Sequence, residues 1–257
     1  MTDSAKSSTV VLLIKGEPVG SAFLVHASGL LATCKHLVSD RRYGQIDEFE
    51  FRTLEDETGI ATVTKHQDDA NDAALLQISG RMPEKLVPIF LIKSAAARRV
   101  DFTIEGYGTV PDPCHTYKFY VANGTVEGEV PRDDVKLLKL KSKDLFEGMS
   151  GSAIYCPDLG GVVGMQIERL NIDPKGGHWG VETGFACTSE AIAALLPDHL
   201  HVKEPKRIES ASSIAIRNIT AAGSILVQTN YLGDIGLKAD WRRPAEQQHN
   251  RRRAPST

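Results

Sequence analysis

Three short segments of the sequence hold residues whose types support nucleophilic chemistry. His36 ends the segment ATCKH, Asp72 opens the apolar segment DAALLQI, and Ser150 lies in the glycine-rich segment GMSGSA. A serine hydroxyl is a weak nucleophile at neutral pH and needs a neighbouring base to accept its proton. An imidazole, with a pKa of about 6.5, suits that role, and a carboxylate bound to its other ring nitrogen would fix its tautomer. Together the three residues predict a nucleophile, a base and an orienting acid.

Each of these residues has a plainer interpretation when it is taken alone. A serine in a glycine-rich turn and a histidine in a short polar segment are more often structural than catalytic. Asp68 and Asp69 compete with Asp72 for the role of the carboxylate, but they precede the apolar segment and are typical of turn residues. Cys34 lies close to His36, and we interpret it as a small buried apolar residue rather than a second nucleophile. The presence of a candidate serine, histidine and aspartate along one chain favours the catalytic interpretation.

Neither the cysteines nor the remaining histidines have the spacing of a metal site. The cysteines are far apart and form no CxxC pair, and the histidines outside ATCKH show no ligand pattern. The cysteines are Cys34, Cys114, Cys156 and Cys187, and the histidines include His66, His115 and His178. We therefore predict no metal and no cofactor.

Glycines, prolines and polar clusters divide most of the chain into short apolar segments. Segments of this length and spacing are typical of an all-β sandwich or barrel. The first group of expected strands is Val10–Lys15, Gly20–Val25, Leu30–Ala32, Glu48–Phe51, Ile60–Thr64 and Ala73–Ile78. The second group is Asp101–Tyr107, Tyr117–Val121, Val135–Leu140, Ser152–Tyr155, Gly161–Ile167 and Gly184–Cys187.

These two groups predict an all-β fold of two packed six-stranded antiparallel β-barrels, because each group holds about six strands. The barrels would span about 8–80 and 98–190, with Ser79–Ala97 as the connector. A helix is expected at Ser189–Leu196, where a serine and an early glutamate precede helix-forming residues.

The part of the chain after residue 202 differs from the barrels in composition. Residues 1–202 form the expected barrel domain, and residues 203–238 form a short appended segment with β-prone pieces at Ser213–Ile219 and Ser224–Thr229. Residues 239–257 are rich in Arg, Gln and Pro, which predicts a disordered basic tail.

The bulk composition argues against several classes of protein. A formal net charge of -3 in 257 residues does not suggest a nucleic-acid binder, which is usually basic. Arg251–Arg253 could bind nucleic acid, but a solvated tail is the favoured interpretation. The apolar stretch Val10–Ile14 is too short for a signal sequence or a membrane span, so no membrane partner is expected. Without a secretory signal, we expect the cysteines to be free thiols in a reducing cytoplasm.

The order of His36, Asp72 and Ser150 along the chain distinguishes among the known arrangements of a serine triad. The order here is His, Asp, Ser, as in chymotrypsin-like proteins, whereas subtilisins have Asp, His, Ser and α/β-hydrolases have Ser, Asp, His. On these residues the chain resembles the trypsin-like (chymotrypsin-fold) serine peptidases, particularly the compact bacterial ones without disulfides. The resemblance runs roughly from Val10 to Leu196 and rests on the motifs GSAFLV, TCKH, DAALLQI, GMSGSA, GVVGMQ and GFAC.

The resemblance implies a role for each residue of the triad. Ser150 would be the nucleophile, His36 the general acid and base, and Asp72 the group that orients the imidazole and stabilises its charged form. The backbone amides of Gly148 and Ser150 would form the oxyanion hole.

The resemblance also implies a place for the substrate. Asp144, Gly164 and Gln166 would be substrate-binding residues, and Asp144 matches the acidic floor of a pocket that selects Arg or Lys before the scissile bond. Gln166 replaces a glycine that many relatives have, which would narrow that pocket. Met149 stands where secreted trypsins have an aspartate that pairs with a new N-terminus, so activation by that switch is not expected.

The sequence therefore predicts a serine endopeptidase that acts on protein substrates through an acyl-enzyme intermediate. Two alternatives remain open. The chain could be the partner-regulated protease effector of a bacterial defence system, with the segment after Lys203 docking to a sensor protein. It could instead be a catalytically silent binding module with a protease fold, although such a module would be expected to have lost part of the triad.

Overall fold

The computed structural model describes residues 5–40, 42–109, 117–146, 148–169, 182–197 and 202–205. Its strands, in chain order, are β1 (Thr9–Ile14), β2 (Glu17–His26), β3 (Leu30–Cys34), β4 (Ser39–Asp40), β5 (Gly44–Gln45), β6 (Glu48–Thr53), β7 (Thr58–Asp68), β8 (Ala73–Ser79), β9 (Val100–Thr109), β10 (Tyr117–Arg132), β11 (Val135–Lys141), β12 (Ala153–Cys156), β13 (Gly161–Arg169) and β14 (Thr183–Thr188). The α-helices are α1 (Lys35–Val38) and α2 (Ser189–Leu195), and short 3-10 helices span Ala5–Ser8, Ser94–Ala97 and Pro157–Leu159.

Six strands close into a first antiparallel barrel in the order β1, β2, β3, β8, β7, β6. The sequence of β6, EFEFRT, alternates polar and mostly apolar residues, and the strand alternates exposed and buried positions accordingly. Phe49 and Phe51 point inward and are fully buried. The strands β4 and β5 form a separate two-stranded sheet.

The second barrel closes in the order β10, β11, β14, β13, β12, β9. Its interior is an apolar cluster in which Phe102, Ile104 and Leu138 are almost fully buried. The helix α2 follows β14 directly, and the Thr188 side chain caps it by accepting from the Ala191 amide. The predicted all-β fold of two six-stranded antiparallel barrels with a following helix is confirmed.

The two barrels pack against each other through β1, whose six residues are all buried. Val10 and Leu12 belong to the main core cluster, whereas Val11 and Leu13 pack with Tyr107 of β9. A strand that is buried on both faces has no polar alternation, which explains the continuous apolar run VVLLI after Thr9.

The strand β10 is longer than the sequence predicts. The expected strand ended at Val121, but β10 continues to Arg132. Its first part pairs with β9 and its second part with β11. A register shift between Val126 and Gly128 allows this change of partner, and Gly128 has a φ of 143°.

The expected connector between the barrels contains no regular strand, and the end of the described chain pairs with it. Lys203 forms a parallel bridge with Ile92, and its ammonium lies 3.1 Å from the centre of the Phe90 ring. The chain divides into one unit of residues 1–208 and a second of residues 209–257. The expected β-prone pieces after residue 205 and the basic tail lie outside the described residues.

Two further expectations concern the cysteines and the membrane. Cys34, Cys156 and Cys187 are buried free thiols, and Cys114 lies outside the described residues.

In the described parts of the chain, no helix combines the length and the apolar character that crossing a bilayer requires.

Candidate active site

His36 lies on the single-turn helix α1, directly after the buried strand β3. Leu37 and Val38, the next two residues of α1, are buried and fix the helix against the first barrel. The His36 side chain remains 45% exposed, which leaves its ring accessible to a substrate.

Asp72 contacts His36 with both oxygens of its carboxylate. Oδ1 accepts a hydrogen bond from the His36 backbone amide at 2.8 Å, and Oδ2 lies 2.6 Å from His36 Nδ1. An ionised carboxylate can only accept hydrogen bonds, so Nδ1 carries the proton and Nε2 is left as the basic nitrogen. This is the tautomer that a general base for serine requires.

The backbone at Asp72 adopts the left-handed conformation, with a φ of 52°. Asp tolerates this conformation better than most residues do. The Asp72 carbonyl accepts the Lys35 amide at 3.1 Å, so the two segments that carry the acid and the base are also joined through their backbones.

The other two aspartates of the loop make different contacts. The Asp68 carboxylate accepts from the amides of Ala70 and Asn71 and holds a turn. Asp69 is almost fully exposed and lies 3.6 Å from the Lys35 ammonium. Of the three candidates, Asp72 is the one that the structure brings to His36.

Ser150 lies in a loop that is hydrogen-bonded to strands of both barrels. The Ser150 carbonyl accepts from the Ser21 amide of β2 at 2.9 Å, and the Gly151 amide donates to the Gln166 carbonyl of β13 at 2.9 Å. The Gln166 amide in turn donates to the Ser152 carbonyl at 2.8 Å. The position of the serine is therefore fixed by the register of two sheets.

Two glycines permit this close approach of the loop to β2. Gly151 has a φ of 85°, and a Cβ atom there would overlap the Ser21 carbonyl. A Cβ atom on Gly20 would overlap the Leu37 side chain and lie 3.2 Å from the Ser150 carbonyl oxygen. The helix that carries the base and the loop that carries the nucleophile thus meet at Gly20.

The hydroxyl of Ser150 donates to the Ile167 carbonyl at 3.3 Å. No hydrogen bond joins it to His36 within the described residues. Catalytic hydrogen bonds are often long or absent in a free enzyme and form when substrate binds. A hydrogen bond from the serine hydroxyl to the imidazole would replace its bond to the Ile167 carbonyl.

The comparison with known protein families agrees with this geometry. The profile of the trypsin-like peptidase domain matches residues 20–165, which include His36, Asp72 and Ser150. The chain belongs to the trypsin-like peptidase family. The family is one of peptidases, which are hydrolases. No curated protein sequence matches the chain.

Solved structures similar to this trypsin-like peptidase include the HtrA-type protease AlgW. In its complex with a decapeptide, 19% of the residues are identical, the match covers 70% of this chain and 51% of that chain, and the TM-score is 0.54. The complex with a tripeptide gives 20% identity, 74% and 59% coverage, and a TM-score of 0.55. At this identity the similarity shows the fold, and this chain spans little more than half of the AlgW chains.

The segment that precedes the nucleophile is anchored by an apolar side chain. Met149 is fully buried in the core of the second barrel, and its sulfur accepts from the Phe146 amide at 3.4 Å. Gly148 has a φ of 86°, which is favourable for glycine. This trypsin-like peptidase therefore holds the loop by hydrophobic burial at the position where the secreted trypsins use an ion pair.

Asp144 and Gly164 are two of the expected substrate-binding residues. Asp144 lines a cavity of about 450 Å³ together with Asp101, Asn123 and Lys143, and Ser150 does not line that cavity. Gly164 is buried in the barrel wall, where a Cβ atom would overlap the Cys187 carbonyl.

Gln166 does lie beside the nucleophile loop, through the backbone bonds described above. Its side chain is 3% exposed, and its Nε2 donates to the Glu168 carbonyl at 2.7 Å. Leu145 Cδ1 and Gln166 Nε2 both lie near Gly184, where a Cβ atom would be 2.5 Å from the first and 3.4 Å from the second.

A second cavity, of about 380 Å³, lies directly beside the acid of the triad. Its lining includes Asp72, the segment Arg132–Val135 between β10 and β11, and Ile167 and Glu168 of β13. Arg132 donates to the Glu168 carboxylate at 2.6 Å across this cavity. The cavity extends the space at the triad along the end of β13.

Cys34 lies close enough to His36 and Asp72 to resemble a metal site. The three possible ligand atoms are within 4.8 Å of one another. However, His36 and Asp72 are hydrogen-bonded to each other, and the Cys34 thiol donates to the Gln166 carbonyl at 3.2 Å. Burial, followed by the negative charge of Asp72, raises the pKa of Cys34 well above its usual value, so it is a poor ligand. The cluster fits a triad with a structural thiol behind it.

Proposed function

We propose that the protein is a serine endopeptidase that hydrolyses peptide bonds within protein substrates through an acyl-enzyme intermediate. The observation that carries the proposal is the pairing of His36 with both oxygens of Asp72, at 2.8 Å and 2.6 Å, next to the Ser150 loop. This pairing supports the roles that the sequence gives to the three residues.

In the proposed reaction, Ser150 Oγ attacks the carbonyl carbon of the scissile bond while His36 Nε2 takes the hydroxyl proton. A new C–O bond forms, and the carbonyl oxygen becomes an oxyanion bound by the amides of Gly148 and Ser150. His36 then gives its proton to the leaving amine as the C–N bond breaks. Water repeats these steps on the acyl-enzyme and releases the second product.

A preference for Arg or Lys before the scissile bond remains a prediction that depends on Asp144. The placement of Asp144 in a cavity apart from Ser150 gives this prediction little support. We also propose a reducing compartment, the cytoplasm, because the buried cysteines Cys34, Cys156 and Cys187 form no disulfide.

A second candidate is a latent protease that a protein partner activates. The observation that favours it is the Ser150 hydroxyl, which donates to the Ile167 carbonyl and not to the base. The segment after Lys203 would be the docking piece, since residues 202–205 already pair with the connector between the barrels. A partner that binds there would need to favour the hydrogen bond from the serine to the imidazole.

The experiment is cleavage of an unfolded protein by the purified full chain, with the new termini identified by mass spectrometry. The proposal predicts internal cuts that the Ser150→Ala variant does not make. Cuts that appear only after addition of cell lysate would favour the latent protease. If the folded protein makes no cuts under either condition, the endopeptidase proposal is wrong and the silent binding module becomes the better account.

A further inference from the structure

We propose that Cys34 is a positioning residue for the triad, because its buried thiol links the strand that leads to the base with the loop that carries the nucleophile. The link passes through the carbonyl oxygen of Gln166. The inference rests on the proposed endopeptidase function and adds a residue that acts through these two segments rather than on the substrate. It gives Cys34 a role beyond the packing that the sequence predicts.

Cys34 lies where the two first-barrel segments of the triad meet. It is the last residue of β3, two positions before His36, and it is fully buried. Its partner on β8 is Ala73, the residue that follows Asp72. A shift of Cys34 would therefore act on the segment of the base and on the segment of the acid together.

The thiol of Cys34 shares its acceptor with the nucleophile loop. Sγ donates to the Gln166 carbonyl oxygen at 3.2 Å, and the Gly151 amide donates to the same oxygen at 2.9 Å. A carbonyl oxygen has two lone pairs, so it can accept both hydrogen bonds at once. The Gln166 amide donates to the Ser152 carbonyl at 2.8 Å, which fixes this part of β13 to the same loop. One oxygen atom of the second barrel thus connects Cys34 of the first barrel with the residue that follows Ser150.

The direction of the thiol proton matters because the Asp72 carboxylate is close. The Cys34 sulfur, a ring nitrogen of His36 and a carboxylate oxygen of Asp72 lie within 4.8 Å of one another. A donor that turned towards Asp72 would compete with His36, whereas the bond to Gln166 leaves both carboxylate oxygens to His36. Burial, followed by the charge of Asp72, raises the pKa of Cys34, so the thiol keeps the proton that it donates.

This hydrogen bond should matter more for the geometry of the site than for the stability of the fold. A thiol is a weak donor, so its loss should lower the free energy of unfolding only slightly. The relative position of nucleophile and base is more demanding, because a displacement of about 1 Å can cost about 100-fold in rate. A positioning role therefore predicts a loss of kcat that is out of proportion to the loss of stability.

The experiment measures kcat, KM and the urea unfolding midpoint for the unchanged protein and three variants, on one peptide that the unchanged protein cleaves. The variants are Cys34→Ala, Cys34→Ser and Cys187→Ala. Alanine and serine leave nearly the same space at residue 34, but only serine keeps a donor. Cys187→Ala is the matched control, since it removes a fully buried thiol from the same apolar cluster, on β14 opposite Met165.

We expect Cys34→Ala to lower kcat by about 10- to 100-fold with KM nearly unchanged. Cys34→Ser should recover most of that loss, and Cys187→Ala should keep the kcat of the unchanged protein. Equal kcat values for Cys34→Ala and Cys34→Ser would overturn the inference, because packing alone would then explain the effect of residue 34. A loss of kcat in Cys187→Ala as large as that in Cys34→Ala would also overturn it.

The S–H stretching band in the infrared spectrum tests the hydrogen bond itself, without relying on activity or on the folding of the alanine variant. The band that disappears in Cys34→Ser belongs to Cys34, and we expect it at a lower frequency than the band of a thiol without a hydrogen bond. A band at the frequency of a free thiol would overturn the inference and leave the proposed function intact. Absence of both cleavage and a fluorophosphonate label on Ser150 in the folded, unchanged protein would overturn the proposed function and the inference with it.

Discussion

Asp72 combines the contact with His36 that the proposed mechanism uses with an unusual backbone conformation. Its two oxygens hold the His36 amide and ring, and its φ of 52° lies in a region that most residues avoid. The left-handed turn allows a single side chain to reach both donors of His36. An aspartate therefore suits both the proposed chemistry and the backbone at this position.

Replacement of Asp72 by asparagine should separate these two roles. Asparagine accepts the left-handed conformation, but its amide group would donate to His36 Nδ1 and favour the wrong tautomer. We expect kcat to fall by about 10⁴-fold, the size of this effect in a serine triad, with little change in the urea unfolding midpoint. Asp56→Asn, at another left-handed aspartate with a φ of 60°, is the control and should keep its kcat. A loss of less than about tenfold would argue against an orienting role.

The buried thiol of Cys156 should make stability depend on alkaline pH. Burial, followed by the charges of Asp158 and Asp101, raises the pKa of Cys156 from 9.0 to about 12. Between these values the unfolded chain loses the thiol proton and the folded chain keeps it, so stability falls as pH rises from 9 towards 12. Urea unfolding at several pH values should show a smaller fall for Cys156→Ala than for the unchanged protein. Equal slopes would show that this thiol does not contribute.

At the scale of elements, the nucleophile loop depends on glycine at a point of contact with β2. A side chain at Gly151 would overlap the Ser21 carbonyl, which also accepts the Thr33 hydroxyl at 2.8 Å. Because that carbonyl is fixed by β2 and β3, the loop would have to move instead. Movement of the loop displaces Ser150 from the base.

Gly151→Ala should therefore destabilise the protein strongly and abolish cleavage. The left-handed conformation costs about 1–2 kcal/mol for an alanine, and the overlap with backbone adds to it. Gly160→Ala is the matched control, since Gly160 has a φ of 69° and open space around it. Its expected cost in urea unfolding is about 1 kcal/mol, without loss of activity. Similar costs for the two variants would mean that the loop can move away from β2 at little expense.

The elements also show how far the sequence predicts the site. The types and order of His36, Asp72 and Ser150 are visible in the sequence, and so are the short apolar segments that form the strands. The contacts of Ile167 and Ser21 with the nucleophile loop cannot be seen in the sequence, because they use backbone groups whose positions depend on strand register. The sequence also does not show that Asp144 lines a cavity while its neighbour Leu145 is buried in the core of the second barrel.

At the scale of the whole molecule, the site depends on the packing of the two barrels. His36 and Asp72 come from the first barrel, and Ser150 comes from a loop of the second. The Tyr107 amide of β9 donates to the Ser21 hydroxyl of β2 at 3.0 Å, which ties the barrels together close to the nucleophile loop. The apolar cluster that contains β1 is continuous across the same boundary.

Loss of this tie should weaken the whole domain rather than one barrel. Ser21→Ala removes the acceptor of the Tyr107 amide, and we expect a decrease of about 1 kcal/mol in the free energy of unfolding. Ser79→Ala, which removes an exposed hydrogen bond to Thr62 inside the first barrel, should cost less than about 0.5 kcal/mol. An equal decrease in the free energy of unfolding for the two variants would show that the hydrogen bond between the barrels contributes no more to stability than the exposed one.

Labelling with a fluorophosphonate probe tests the central claim, that Ser150 is a nucleophile activated by His36, most directly. The purified protein is treated with the probe, and the labelled residue is located by mass spectrometry in the unchanged chain and in the Ser150→Ala and His36→Ala variants. We predict a label on Ser150 that both substitutions abolish. A label that persists in His36→Ala would contradict the activation of Ser150 by His36. A folded protein that takes no label, alone or in cell lysate, would contradict the proposal that the protein is a serine peptidase.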